Sequence, residues 1–405
     1  MSAPQPIRVL VVDDSLFVRT LLRRMLLADG RFEVAGEAKD GAAAVELAVS
    51  LAPDVVTMDV IMPGMDGVAA VRALLQRRLV PVVMLSAHTT EGARTTLDAL
   101  AAGAVDFVAK PSGERSTDLS RIAAELCDKL AAAARIVPRV RPAPPLPPPR
   151  ASRVEAPPPR ASRTEAPSSE RGGTGPAPAP PASLPRAPVS SPGAPGRDAE
   201  RGVGSARGDA SRAGPLGGEP LVALGISTGG PSTLLELLPR LPASAPALLV
   251  VQHMPTGFTA ALAERLDGAC AIEVREAKDG DRPRRGLALV APGGSHLEYA
   301  SSGHVRLGDG PPVHGCKPSV DVTMLSVARF AGRRAIGVVM TGMGRDGADG
   351  LRAMRRAGAR TLAQDEASSV VYGMPRAAFE LGAAEEVVSL DALAARIVAL
   401  ADAMR

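Results

Sequence analysis

The chain has no tryptophan, two tyrosines and six phenylalanines among its 405 residues. With 45% apolar residues it can still build cores, mostly from aliphatic side chains and alanine. Its longest apolar runs are strand-sized, well short of the roughly 18–20 residues of a membrane span. The start, MSAPQPIRVLVVDDS, lacks a basic stretch followed by an apolar segment and a small-residue cleavage site, so no secretory signal and no membrane insertion are expected. Cys127, Cys270 and Cys316 are scattered along the sequence and form neither a disulfide framework nor a zinc spacing. A reducing, cytoplasmic setting is the expectation.

The basic balance, +4 with a pI near 9.2, invites a nucleic-acid reading. The charge, however, is local. Residues 138–218 hold about 12 arginines against about 6 acids, so the rest of the chain is slightly acidic. No nucleic-acid partner is expected. The same stretch holds about 20 of the 38 prolines, and no aromatic residue occurs between Phe107 and Phe258. Such a segment buries too little apolar surface to offset the entropy of ordering, which predicts a disordered linker. It carries a near-perfect tandem decapeptide, PPPRASRVEA then PPPRASRTEA, over 147–166. Three parts follow: 1–137, a linker over 138–218, and 219–405.

Residues 7–134 alternate five apolar strand-like runs with helical patterns. That order implies a parallel sheet covered on both faces, a flavodoxin-like (βα)5 fold. Ligands bind beyond the carboxyl ends of such strands, and here those ends carry Asp13, Asp14, Asp59, Ser86 and Lys110. Three converging carboxylates repel one another unless a cation sits among them, and hard oxygen ligands favour Mg²⁺. A carboxylate beside Mg²⁺ and a lysine can attack a phosphoryl group.

At VVDDS, MDVIMPGMDG, LSA and Lys110-Pro111, in that order, the chain resembles the response-regulator receiver family over roughly residues 5–130. The resemblance implies that Asp59 is the phosphorylated residue and that Asp13 and Asp14 join it in holding Mg²⁺. It implies that Ser86 and Lys110 contact the phosphoryl group and that Phe107 is the aromatic switch. Ile61 stands where related sequences often carry an acid. The family uses that residue's backbone carbonyl for the metal, so binding is expected to survive.

Residues 219–405 also read as α/β, with LVALGI, ALLVV and AIGVVM as buried parallel strands and an antiparallel hairpin within 287–307. The stretch VALGISTGG (222–230) admits two readings. A dinucleotide loop needs G-x-G-x-x-G and an acid about 20 residues on; residues 225–230 give G-x-x-x-G-G, and the next strand ends in Gln252-His253. The alternative is G-x-S-x-G, with Ser227 on a strand-to-helix turn as nucleophile. A serine needs a base, and the base works best when an acid fixes its tautomer. His253 follows a core strand on the rim of Ser227, with His296 the second choice. Asp346, in the glycine-rich turn after AIGVVM, supplies the acid, although it could also simply cap the next helix.

These residues, with GISTGGP, VQHMPTGFT, LVAPGGSH, KPSVDV, TGMGRDG and AQDEASSVVYGMP in order, resemble the chemotaxis protein-glutamate methylesterase/protein-glutamine glutaminase family (CheB) over roughly 220–402. The resemblance implies a phosphorylation-activated serine hydrolase with Ser227 as nucleophile, His253 as base and Asp346 as orienting acid. Thr228 and Met343 would line the oxyanion site, and the hydrolase reaction would need no cofactor. It further implies chemoreceptors as substrates and a chemotaxis histidine kinase as phosphodonor. The unphosphorylated receiver would restrict the active site, less tightly where the linker is this long. Two alternatives stay open: a receiver-regulated serine hydrolase acting on another ester, and a phosphorylation-switched binding module.

Overall fold

A computed structural model describes residues 5–87, 89–110, 116–136 and 219–405. The first domain runs β1 (Ile7–Val12), α1 (Leu16–Asp29), β2 (Phe32–Ala38), α2 (Gly41–Leu51), β3 (Val55–Asp59), α3 (Gly67–Arg77), β4 (Val82–Ser86), α4 (Thr90–Ala101), β5 (Asp106–Ala109) and α5 (Ser116–Ala133). The five strands pair in parallel in the order β2-β1-β3-β4-β5. β1 shows why both faces are filled. Val9 and Val11 join Leu22 and Leu26 of α1 and Leu126 and Leu130 of α5. Leu10 and Val12 join Val45 of α2 and Val71 and Leu74 of α3. Alternating side chains that are apolar on both sides can only sit between two helical layers.

Polar residues set the helix starts. Ser15, Asp40, Asp66 and Thr89 are N-caps whose side-chain oxygens accept from Val18, Ala43, Ala69 and Gly92 N–H. These caps leave each strand's carboxyl end open, so Asp13, Asp59, Ser86 and Lys110 gather on one rim.

The second domain runs β6 (Leu221–Ile226), α6 (Gly230–Leu237), β7 (Ala247–Gln252), α7 (Phe258–Ala269), β8 (Glu273–Glu276), β9 (Leu287–Val290), β10 (His296–Tyr299), β11 (Val305–Gly308), α8 (Val320–Phe330), β12 (Ala335–Val339), α9 (Ala348–Arg356), β13 (Arg360–Gln364), α10 (Met374–Glu380), β14 (Glu386–Val388) and α11 (Leu390–Ala403). Seven strands form a parallel sheet in the order β14-β13-β12-β6-β7-β9-β8. β10 and β11 make the expected antiparallel hairpin as a separate two-stranded sheet, not as an extension of the main one. Three short strands, β8, β13 and β14, go beyond the sequence reading. Their sequences, EVRE, RTLAQ and EVV, are too short or too polar to show a period.

The two domains pack together along α4. Arg94 pairs with Glu264 at 2.9 Å, Arg265 with Asp98, and Ser232 Oγ donates to the Leu100 carbonyl at 3.3 Å. Phe107 of β5 stacks on Phe258 of α7, with ring centroids 4.6 Å apart and both rings buried. The Arg94–Glu264 pair is solvent-exposed and the Arg265–Asp98 pair partly so, and the buried aromatic stack is the main apolar tie. Among the described residues, no helix is long and apolar enough to cross a membrane. The proline-rich linker lies outside the described residues.

Candidate active site and phosphoryl-acceptor pocket

β6 lies between β7 and β12, at the point where the strand order reverses, and its carboxyl end is the crevice such sheets use for ligands. The chain leaves β6 through Ser227 into a sharp turn. Gly229 there has φ +74°, which favours glycine, and a Cβ at Gly230 would lie 1.8 Å from Gln252 Oε1 and force that side chain to move. Neighbouring strands hold this turn from both sides. Ser227 N–H donates to the Thr341 carbonyl at 2.9 Å, and His253 N–H donates to the Ile226 carbonyl at 3.1 Å. Gln252 Nε2 donates to the carbonyls of Ser227 and His253 at 3.0 and 3.2 Å, tying the two segments together.

The sheet thus brings Ser227, His253 and Asp346 to one edge, and the imidazole and carboxylate meet. His253 Nε2 is 2.8 Å from Asp346 Oδ2. A carboxylate only accepts, so in the neutral imidazole Nε2 carries the hydrogen and the lone pair lies on Nδ1. Nδ1 is therefore the basic nitrogen. Among the described residues Ser227 Oγ makes no hydrogen bond; the atom beside Nδ1 is Cys316 Sγ, 3.5 Å away.

Asp346 does not cap its own helix, because the N-cap of α9 is Gly347. It instead receives the start of α8. Ser319 Oγ and Asp321 N–H donate to Oδ1 at 2.8 and 3.0 Å, and Val320 N–H donates to Oδ2 at 2.7 Å. Orphan amides of a helix N-terminus favour an anion in this place. Burial alone would raise Asp346, but the bond to His253, its charge and these amides hold the carboxyl below its usual range. Burial would likewise lower His253, yet the bonds to Asp346 and Cys316 and their charges push the imidazole up to about 9.

His296, the second choice for the base, does not lie free beyond its strand. It is the buried first residue of β10, its Nε2 is bonded to the Pro311 carbonyl and its Nδ1 accepts from Ser319 N–H, so both nitrogens are engaged away from Ser227. Thr228 is buried, and its carbonyl accepts from Thr341 Oγ1 at 2.9 Å. Met343 follows Gly342, where a Cβ would come within 2.7 Å of Ser227 Cβ, so the turn bearing Met343 presses against Ser227. Sequence reasoning missed Cys316, Gln252, Thr341 and Ser319 as parts of this site. KPSVDV marked the start of α8, but backbone donors leave no signature of their own in a sequence.

In the first domain Lys110 Nζ lies 2.7 Å from Asp13 Oδ2 and 2.9 Å from Asp59 Oδ1. Oxygens of Asp13, Asp14 and Asp59 all fall within 4.8 Å of one another. Burial, and to a lesser degree Asp13 and Asp14, raise Asp59 against the pull of Lys110. Burial opposes the charge on Lys110, but Asp13 and Asp59 outweigh it and raise the amine. Three hard oxygen donors with excess negative charge fit a divalent cation such as Mg²⁺. The Ser86 hydroxyl is buried at the same rim and accepts from Thr96 Oγ1 at 2.7 Å.

Comparisons with known proteins agree with this division. The model described as CheB methylesterase matches residues 222–397, and that of the response regulator receiver domain matches residues 9–119. A protein-glutamate methylesterase/protein-glutamine glutaminase of Symbiobacterium thermophilum is 44% identical over 391 residues, covering 96% of each chain. Its counterpart in Syntrophotalea carbinolica is 42% identical over 401 residues, covering 98% of each. One from Anaeromyxobacter dehalogenans is 44% identical over 403 residues, again covering 98% of each. With a receiver sheet, a second parallel sheet bearing Ser227, His253 and Asp346, and relatives matching nearly end to end, the chain belongs to the receiver-linked CheB methylesterase family.

Proposed function

We propose that this chain is a phosphorylation-activated serine hydrolase that demethylates glutamate γ-methyl esters, and deamidates certain glutamines, on the cytoplasmic helices of chemoreceptors. The observation that carries the hydrolase reading is the Asp346–His253 pair at the carboxyl end of the strand that delivers Ser227. Ser227 Oγ attacks the γ-carbonyl carbon while His253 Nδ1 takes its proton. Asp346 stabilises the resulting imidazolium through Nε2–H. The turns at Thr228 and Met343 supply backbone N–H groups to the oxyanion. The imidazolium gives its proton to the departing methoxy oxygen, which leaves as methanol, or to the departing amide nitrogen of a glutamine, which leaves as ammonia. Water then enters by the reverse path and releases the glutamate carboxylate.

In the receiver, Asp59 accepts a phosphoryl group from a chemotaxis histidine kinase, beside Lys110 and Ser86. Asp13, Asp14 and Asp59 would hold Mg²⁺, which when bound offsets the charge on the transferring group. The receiver packs on α6 and α7, the two helices that start three and five residues after Ser227 and His253. A shift of Phe107 against Phe258 therefore reaches the segment that carries the base. This contact supports a receiver that restrains the hydrolase until it is phosphorylated.

The direct test is methanol release from methylated receptor fragments by the full chain, with and without a small-molecule phosphodonor and Mg²⁺. Release that needs Ser227 and rises with phosphodonor is expected. Release that survives Ser227→Ala would remove the nucleophile assignment, and no release from any receptor would favour another ester or a binding role.

The imidazole must be neutral to act as base, and its folded value is raised to about 9. With phosphodonor present, kcat/KM should rise with pH through neutrality and level off near 9. Asp346→Asn should move that limb to lower pH and depress the plateau by about 10⁴-fold. A flat profile between pH 6 and 9 would contradict the base assignment.

At the domain contact, Arg265→Asp should raise the basal rate up to about fivefold, about 1 kcal/mol for a partly exposed pair. Adding Asp98→Arg should restore the restraint. A basal rate unchanged in the single variant would show that this pair takes no part in it.

A further inference from the structure

Cys316 occupies a place that the reaction described above does not use. It closes a tight turn in which Val313 and Cys316 exchange backbone hydrogen bonds of 3.1 and 2.9 Å, with His314 and Gly315 at φ +51° and +75° between them. The turn fixes Sγ 3.5 Å from His253 Nδ1. Three residues later the same segment becomes the N-cap of α8 and, with the first amides of that helix, grips Asp346, which holds the other ring nitrogen. One stretch of chain therefore brackets the imidazole, with a thiol on one edge and a supported carboxylate on the other. Cys316 is only partly buried, so solutes reach it.

This is the arrangement of half a zinc site. Zinc binds thiolate sulfur at about 2.3 Å and imidazole nitrogen at about 2.0–2.1 Å; at a tetrahedral angle these put S and N about 3.6 Å apart. The observed 3.5 Å needs almost no movement. Zinc-binding histidines also donate their second N–H to a carboxylate, which fixes the tautomer and strengthens the ligand. Asp346 fills that place at 2.8 Å. Ligand atoms of His253, Cys316 and Asp346 all lie within 4.8 Å of one another.

We propose that Cys316 Sγ and His253 Nδ1 form an inhibitory site for a thiophilic divalent cation, with Zn²⁺ as its natural occupant. Binding releases the thiol proton and, where the ring is charged, the Nδ1 proton to solvent, leaves Nε2–H on Asp346 and ties up the Nδ1 lone pair. That lone pair is the one that must accept the Ser227 proton, so a loaded site cannot start the reaction. Two protein ligands leave the remaining positions to solvent, which sets a reversible, micromolar response rather than permanent occupancy. The inhibitory consequence rests on His253 being the base; the metal site itself does not.

The test uses the full chain with excess Mg²⁺ to fill the carboxylate pocket of the receiver. Co²⁺ is added first, because a cobalt–thiolate bond gives a near-ultraviolet charge-transfer band that oxygen ligands cannot. The band should appear in the wild type and be lost in Cys316→Ser, in Cys316→Ala and in His253→Gln. Zn²⁺ should bleach it. Zn²⁺ should also inhibit ester hydrolysis at micromolar concentration, with the midpoint raised about tenfold or more in both Cys316 variants, each measured against its own zinc-free rate. A band in a chain without esterase activity would keep the metal site and overturn the hydrolase reading. An active chain that shows no band, or whose zinc response is unchanged in Cys316→Ser and Cys316→Ala, would overturn the metal site alone.

Discussion

The second domain turns on one buried carboxylate. Asp346 is held by Ser319 Oγ and two amides at the start of α8, and it spends its remaining capacity on His253. A buried charge without partners would be strongly unfavourable, and here every partner is a fixed donor. Because α8 also packs on the sheet through Val320 and Met324, the position of the carboxylate is set by the core itself. The imidazole orientation follows, and with it the side of the ring on which Nδ1 lies.

Ser227 and His253 are followed, three and five residues on, by the starts of α6 and α7. α4 and Phe107 of the receiver pack against those two helices. The acidic pocket is at the far end of the same strands, where Lys110 directly follows β5, the strand that carries Phe107. Phe107 and the lysine that pairs with Asp59 therefore belong to one short segment.

Much of this was legible in the sequence, and the pattern of what was not is physical. The long buried strands, IRVLVV and LVALGI among them, announce themselves because both faces are apolar. Asp13, Asp59, Lys110, Ser227, His253 and Asp346 could be placed because parallel sheets gather their carboxyl ends on one rim. EVRE and EVV were missed because edge strands this short carry no period. His296 looked available until its two nitrogens proved to be occupied by a carbonyl and an amide. Cys316 was invisible because 63 residues separate it from His253, and only the turn at 313–316 brings them together.

For His253 to serve as the base, Asp346 must fix its Nε2–H tautomer and leave the lone pair on Nδ1. Nitrogen NMR of the ¹⁵N-histidine-labelled full chain above pH 9, with the His253 signals assigned by difference from His253→Gln, measures this directly. The account predicts a protonated Nε2 and an unprotonated Nδ1, with the Nε2 signal lost or shifted in Asp346→Asn. A neutral His253 carrying its proton on Nδ1 would contradict it.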